Sequence, residues 1–243
     1  MPSRPLYKQV KDRIVESLVR NEWRPGEMIP SEKVLAARYE VSLSTVRAAI
    51  GELANAGVLI RTQGKGTYVA HHSARDNLYR FFNVVRNNGD KEPFHRELLS
   101  LRKGRADPRT AARLRLPAQR RTADVFRLRI RLSATHPAFA CAEICVPAHL
   151  FPGMDAHAVP DGHSSLYALY QASYGVNIIR VVESLVAVRA SAAIAGILRV
   201  NRDEPLLQIE RVAYTFNDMP VELRTTWVHT RHYHFLTMQG EPA

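Results

Sequence analysis

Apolar residues recur in steps of four at Leu6, Val10, Ile14 and Leu18, with Val15 and Val19 widening the stripe. That spacing predicts a helix from Leu6 to about Arg20, stopped by the turn-forming Trp23-Arg24-Pro25-Gly26. Ser31, just after Pro30, is placed to cap a second helix with Glu32 in its first turn, ending near Tyr39-Glu40. After a short turn at Val41-Ser42, a third helix carries Val46, Ala49, Ile50 and Leu53 on one face. It runs to about Asn55, with Gly57 as its C-terminal stop. Two strand-like runs, Val58 to Gln63 and Gly66 to Val69, flank Gly64-Lys65-Gly66 and predict a hairpin. Three helices and a hairpin thus fill the first 70 residues.

Residues 71–93 lose this periodicity and are expected to link two domains, with a helical piece around Leu78 to Val85. Beyond them, Val125 to Leu132 alternates as a strand with Arg127, Arg129 and Arg131 on one face. Ala138 to Val146 is a second apolar run. Ser165 to Tyr174 and Ala190 to Leu198 read as helices, and Ile178 to Val188 as a strand. Leu206 to Phe216 and Pro220 to His229 read as paired strands turning at Asn217-Asp218. Residues 94–243 are therefore expected to form an α+β domain on an antiparallel sheet.

Composition narrows the function. A chain of 243 residues with 46% hydrophobic and 23% charged positions is ordinary globular material, long enough for two domains. No apolar run approaches the roughly 18–20 residues of a membrane span, and Met1 to Val10 lacks the apolar stretch of a signal peptide. The only cysteines, Cys141 and Cys145, are too few for a disulfide framework, so a cytoplasmic location is expected, with both as small core residues. The net charge of +11 favours a polyanionic partner. Residues 1–75 hold 12 Lys/Arg against 7 Asp/Glu, so the basic excess is not confined to one end. His229, His232 and His234 match no common metal-site spacing, and no cofactor is expected.

The clearest chemistry lies in the third helix. Ser42, Ser44 and Thr45 bring short hydroxyls to its first turn, where the helix dipole also attracts phosphate. Arg47 can fork onto a guanine or a phosphate, and the hairpin tip Gln63-Gly64-Lys65 suits close approach to a DNA groove or backbone. Ser31 and Ser42 serve equally well as helix caps, and Arg38 as a solvated or phosphate-touching side chain. The pattern predicts a winged helix-turn-helix with double-stranded DNA as its expected partner, a protein-binding winged helix being the alternative.

Pro30-Ser31-Glu32, Val41-Ser42-x-Ser44-Thr45-Val46-Arg47, Leu53-x-x-x-Gly57 and Gln63-Gly64-Lys65-Gly66-Thr67-x-Val69 resemble, in order and spacing, the DNA-binding domain of the GntR family. The resemblance implies DNA contacts at Lys33, Ser44, Thr45, Arg47, Gln63 and Gly64. Where the family often carries arginine this chain has Leu43 and Lys33, so an operator sequence does not transfer.

The second half is similar to the UTRA domain of the HutC subfamily, a fold akin to chorismate lyase. The likeness rests on Arg129-x-Arg131, Val146-Pro147 with Leu150-Phe151-Pro152-Gly153, Ser164-Ser165-Leu166-Tyr167, Tyr174-Gly175-Val176, Glu210 to Tyr214 and Pro220-Val221-Glu222. It implies an effector cleft in which Arg129 and Arg131 hold an anionic group, with Arg127 as a substitute for one of them. Ser165 adds a helix N-terminus, Tyr167 and Glu222 meet hydroxyls or an amine, and Trp227 or His229 closes the far side. Tyr167 also fits core packing, and Glu222 also fits an ion pair with Arg211 or Arg224. The implied protein is a homodimeric repressor released from an inverted-repeat operator by a sugar phosphate or small organic acid. Two alternatives are a lyase-like enzyme and an architectural DNA-binding protein.

Overall fold

The computed structural model describes residues 5–20, 22–70, 81–117, 124–134, 138–159, 161–163 and 165–237. It divides into two compact units, one ending at His72 and the other beginning at Ser73.

The first unit holds α1 (Leu6–Val19), α2 (Glu32–Tyr39), α3 (Leu43–Asn55) and the antiparallel hairpin β1 (Leu59–Thr62) and β2 (Gly66–Val69). Val10, Ile14 and Leu18 of α1 pack with Leu35 of α2 and with Val46, Ala49, Ile50 and Leu53 of α3, all buried. Each such side chain contributes roughly 1.5–3 kcal/mol on leaving water. The α2–α3 turn is tight because Glu40 adopts the left-handed conformation at φ 54° and Ser42 caps α3, accepting the Thr45 amide. Met28 adds an isolated bridge to Tyr68 beside the hairpin.

In the second unit, β4 (His95–Arg105), β5 (Asp124–Ser133), β6 (Ala140–Pro147), β7 (Arg180–Arg189), β8 (Pro205–Tyr214) and β9 (Pro220–His229) form one antiparallel sheet, in the order β4-β5-β6-β9-β8-β7. Helix α4 (Pro108–Arg113) precedes β5, α5 (Leu166–Tyr174) precedes β7, and α6 (Ala192–Leu198) precedes β8. Successive strand residues face opposite ways, so each strand feeds two layers. Phe126, Leu128, Ile130 and Leu132 of β5 join Ala140, Ala142, Ile144 and Val146 of β6 and the buried side of α5 in the main core. The opposite face has a small cluster at each end. Cys141 and Leu206 meet α6 in one, and Val125, Val212 and Leu223 meet Leu114 in the other.

One expected element differs. Of the helical piece proposed around Leu78 to Val85, residues 78–80 lie outside the described residues, and Val84–Arg86 form a strand, β3. It pairs with β10 (Tyr233–Phe235). Val84 and Val85 are both buried, so a strand that faces a core on both sides carries the apolar run that looked helical.

Candidate functional site: an exposed polar helix start and an arginine-floored cleft

In the first unit the polar first turn of α3 is built by its own cap. The Ser42 Oγ accepts the Thr45 amide at 3.2 Å and lies 2.8 Å from both the Ser44 and the Thr45 hydroxyls. Ser44 and Arg47 are exposed. Arg47 donates from Nε to Glu32 at 3.1 Å, and Arg61 donates to the Arg47 carbonyl, also at 3.1 Å. Lys33 is exposed on α2, whereas the Ser31 hydroxyl caps that helix by accepting the Val34 amide. Arg38 forks onto Glu22, one bond being 3.1 Å, and stacks over Trp23 and Tyr39. At the hairpin tip Gln63, Gly64 and Lys65 are exposed. Gly64 has φ 72° and open space where a Cβ would stand, leaving its backbone approachable.

In the second unit the residues expected to share one effector site fall on two faces of the sheet. Register decides this. Arg131 stands opposite Cys141 and Cys141 opposite Trp227, while Arg129 stands opposite Glu143 and Glu143 opposite Thr225. Arg129, Arg131 and Trp227 therefore lie on the face away from Tyr167, Glu222 and Ser165. Arg129 donates from Nε to Glu143 at 3.0 Å, and Arg131 to Glu97 at 2.9 Å. Trp227 Nε1–H donates to Gln208 at 3.0 Å, and Arg127 to Asp107 at 3.2 Å. Arg127 and Arg129, with Arg102 and Arg109, border a groove beside α4 on that face. The expectation that the arginine pair and Glu222 meet across one cleft is corrected, because the strand alternation that unites Arg129 with Arg131 also separates both from Glu222.

The other face carries a narrow cleft. Its floor holds Arg96, Arg211 and Arg224, and its walls are Phe81, Phe82, Phe94, Ile130, Leu132 and Leu166, with His163, Ser165 and Tyr167 at the α5 end. Arg96 pairs in register with Leu132, and Arg211 with Arg224, which brings the three guanidiniums to one side of the sheet. Below them Glu222 is fully buried. It accepts from Tyr167 at 3.0 Å, Tyr170 at 2.9 Å and Arg224 at 3.0 and 2.8 Å. Arg211 donates to Glu183 at 2.9 and 2.7 Å and also reaches the Phe81 carbonyl. Ser165 caps α5 through the Tyr167 amide at 3.1 Å. The loop before it is tied to β4, where the Leu98 amide donates to Asp161 and the His163 Nδ1 lies 2.8 Å from the Phe94 carbonyl. Ser164 lies outside the described residues.

The electrostatics follow from burial. Burial opposes charge on Arg224, yet the Glu222 carboxylate beside it carries its pKa above the usual arginine value. Burial lowers the Arg96 pKa, and the Arg224 charge adds to that. Burial, then the Glu222 charge, pushes the Tyr167 hydroxyl up to about 12. Glu222 and Tyr167 thus fix Arg224 from below, and Tyr167 also lines the cleft. Arg96, Arg211 and the three phenylalanines were not foreseen. A charged residue in an otherwise apolar alternating strand, as at Arg211 and Arg224, was the available signal.

Burial also drives the Cys141 thiol up to about 12, with the Glu143 charge adding to it. Cys141 and Cys145 sit four residues apart on one strand, roughly 13 Å, beyond disulfide reach. Among the described residues no three His, Cys, Asp or Glu are grouped to hold a metal, and no helix is long and apolar enough to cross a membrane.

Residues 92–234 match the UTRA domain family, and residues 6–69 match the family described as bacterial regulatory proteins, gntR family. The chain is 29% identical over 224 residues to the "Probable fructoselysine utilization operon transcriptional repressor" of Escherichia coli (strain K12), covering 90% of this chain and 88% of that protein. It is 29% identical over 210 residues to the histidine utilization repressor of Klebsiella aerogenes, covering 85% and 83%. Among solved structures, the ligand-binding domain of a GntR-family regulator from Bordetella bronchiseptica matches with a TM-score of 0.62 at 30% identity. That match covers 67% of this chain and 99% of the other. These relatives are transcription regulators, not enzymes.

Proposed function

Because this chain belongs to the GntR family of DNA-binding transcription regulators, in the HutC type that carries a UTRA domain, we propose that it is a cytoplasmic homodimeric repressor. A small organic anion seated in the arginine-floored cleft releases it from an inverted-repeat operator. Lys33, Ser44, Thr45, Arg47, Gln63, Gly64 and Lys65 meet the DNA, while Ser31, Ser42 and Arg38 hold the elements that present them. The observation that carries the DNA reading is the exposed hydroxyl-rich first turn of α3, with Arg47 beside it and the open Gly64 backbone at the hairpin tip.

The effector reading rests on three guanidiniums gathered on one floor under apolar walls. Two copies are needed to read two half-sites. Strand β7 offers surface for the second copy, since it is a sheet edge with Val182, Leu185 and Val186 exposed. Effector binding that reorients the two heads removes bivalency, which weakens avidity by about 10²–10⁴.

A mobility-shift assay on DNA upstream of the protein's own gene tests the first half. Arg47→Ala is expected to lose about 1–3 kcal/mol of binding and to lower the salt slope by about one unit. Unchanged affinity for that DNA would remove α3 from the reading role.

A further inference from the structure

Resting on the DNA reading above, we infer that Leu43 is a specificity-determining residue, which selects a thymine in each half-site by covering its 5-methyl group. The orientation of α3 comes first. Val46, Ala49, Ile50 and Leu53 anchor one side of that helix in the core, each at 1% exposure or less. The helical period then turns Leu43, Ser44, Arg47 and Ala48 outward, and all four are exposed. Leu43 and Arg47 lie one turn apart on that outward side. A lone exposed leucine means little on a surface at large. Leu43 is different because of its place: it is 42% exposed and opens the helix just after the Ser42 cap. The N-terminal residues of a recognition helix are those that lie against base edges.

The chemistry of the side chain selects its partner. Leu43 has neither donor nor acceptor. Against guanine, cytosine or adenine in the major groove it would strip water from amino groups or ring acceptors and return no hydrogen bond. Thymine alone presents an apolar group there, its 5-methyl.

The neighbours leave that task to Leu43. The Ser44 and Thr45 hydroxyls each lie 2.8 Å from the Ser42 Oγ at the helix start, which suits contact with phosphate. Arg47 is steadied by Glu32, to which its Nε donates at 3.1 Å, and by Arg61, which donates to its carbonyl. One helical turn rises about 5.4 Å, so Leu43 and Arg47 address neighbouring base pairs, the first by apolar contact and the second by hydrogen bonds.

The test uses the full chain and the most tightly bound duplex recovered from a random-sequence pool. Each thymine of that duplex is replaced singly by uracil, which removes the 5-methyl and nothing else. In mobility shifts, one thymine per half-site is expected to show a three- to five-fold loss, about what burial of one methyl is worth. Leu43→Met, which keeps an apolar chain of similar length, is expected to show the same loss, and Leu43→Ala none at that position. Cytosine placed there should bind weakly and 5-methylcytosine should recover part of the affinity.

Uracil tolerated at every position by the unaltered protein overturns the role of Leu43, whatever the variants do. An equal methyl effect in Leu43→Ala also overturns it, by assigning the methyl to another residue. Arg47→Ala separates this failure from that of the reading beneath it. Full affinity in Arg47→Ala, or a pool that yields no enriched sequence, overturns α3 as the reader. Loss of affinity in Arg47→Ala with uracil tolerated throughout removes Leu43 alone.

Discussion

Replacing Glu222 by Gln is the sharpest perturbation the second unit allows. Glu222 is fully buried and accepts four hydrogen bonds, two from tyrosine hydroxyls and two from Arg224. The amide keeps the volume but removes the charge and one acceptor, leaving the buried Arg224 guanidinium next to that of Arg211. Breaking one side of a buried ion pair typically costs about 3–5 kcal/mol, a large share of a stability of about 5–15 kcal/mol. For a unit of this size that is a fall in melting temperature of about 6–20 °C. The chain has two tryptophans, Trp23 and Trp227, one in each unit, so urea denaturation followed by fluorescence in a Trp23→Phe background reports the second unit alone. Adding Arg224→Met to Glu222→Gln is expected to recover part of the loss, because the uncompensated charge leaves with it. A single-variant loss below about 1 kcal/mol, or a double variant weaker than the sum of the singles, refutes the argument that charge compensation holds this floor together.

Arg129→Ala is expected to leave effector affinity within about two-fold in calorimetry, since Arg129 lies on the other face paired with Glu143. A ten-fold loss would return the arginine pair to the effector site. Gly66→Ala forces a side chain onto φ 120°, while the exposed Met28 thioether near its Cβ can swing aside, so the backbone strain is expected to destabilise the first unit by about 1–3 kcal/mol in thermal melts. Gly64→Ala, at φ 72° near the left-handed region that other residues do visit, should cost less, and equal losses would refute the backbone argument. Burial raises Tyr167 to about 12, with the Glu222 charge adding to it, so the folded protein resists tyrosinate formation more than the unfolded chain does. The stability it contributes is present below the unfolded value near 10 and is lost as pH rises toward 12, at up to about 1.4 kcal/mol per pH unit. Urea midpoints measured from pH 9 to 11 should fall, and a flat profile contradicts the burial of that hydroxyl.

The sequence by itself determined the DNA-binding unit almost completely. Its helices are set by apolar steps of three and four, its starts by Ser31 and Ser42 and its hairpin by glycines at the tip, all interactions between near neighbours. The strands from β5 to β9 and the helices α5 and α6 were legible for the same reason, whereas β4, α4 and β10 were not read, and β3, a short strand buried through Val84 and Val85, has no period to distinguish it from a helix. The face of the sheet that becomes a cleft was not legible. Arg127, Arg129 and Arg131 alternate with Phe126, Leu128, Ile130 and Leu132, and a strand's own sequence does not say which set meets the effector, since one residue of register exchanges them. Nor could the chain order join Arg96 to Arg211 and Arg224, more than a hundred positions apart, or draw Phe81 and Phe82 out of an apparent linker to wall the same space. Those placements follow from long-range strand pairing and from the burial of Glu222, which only the assembled tertiary structure fixes.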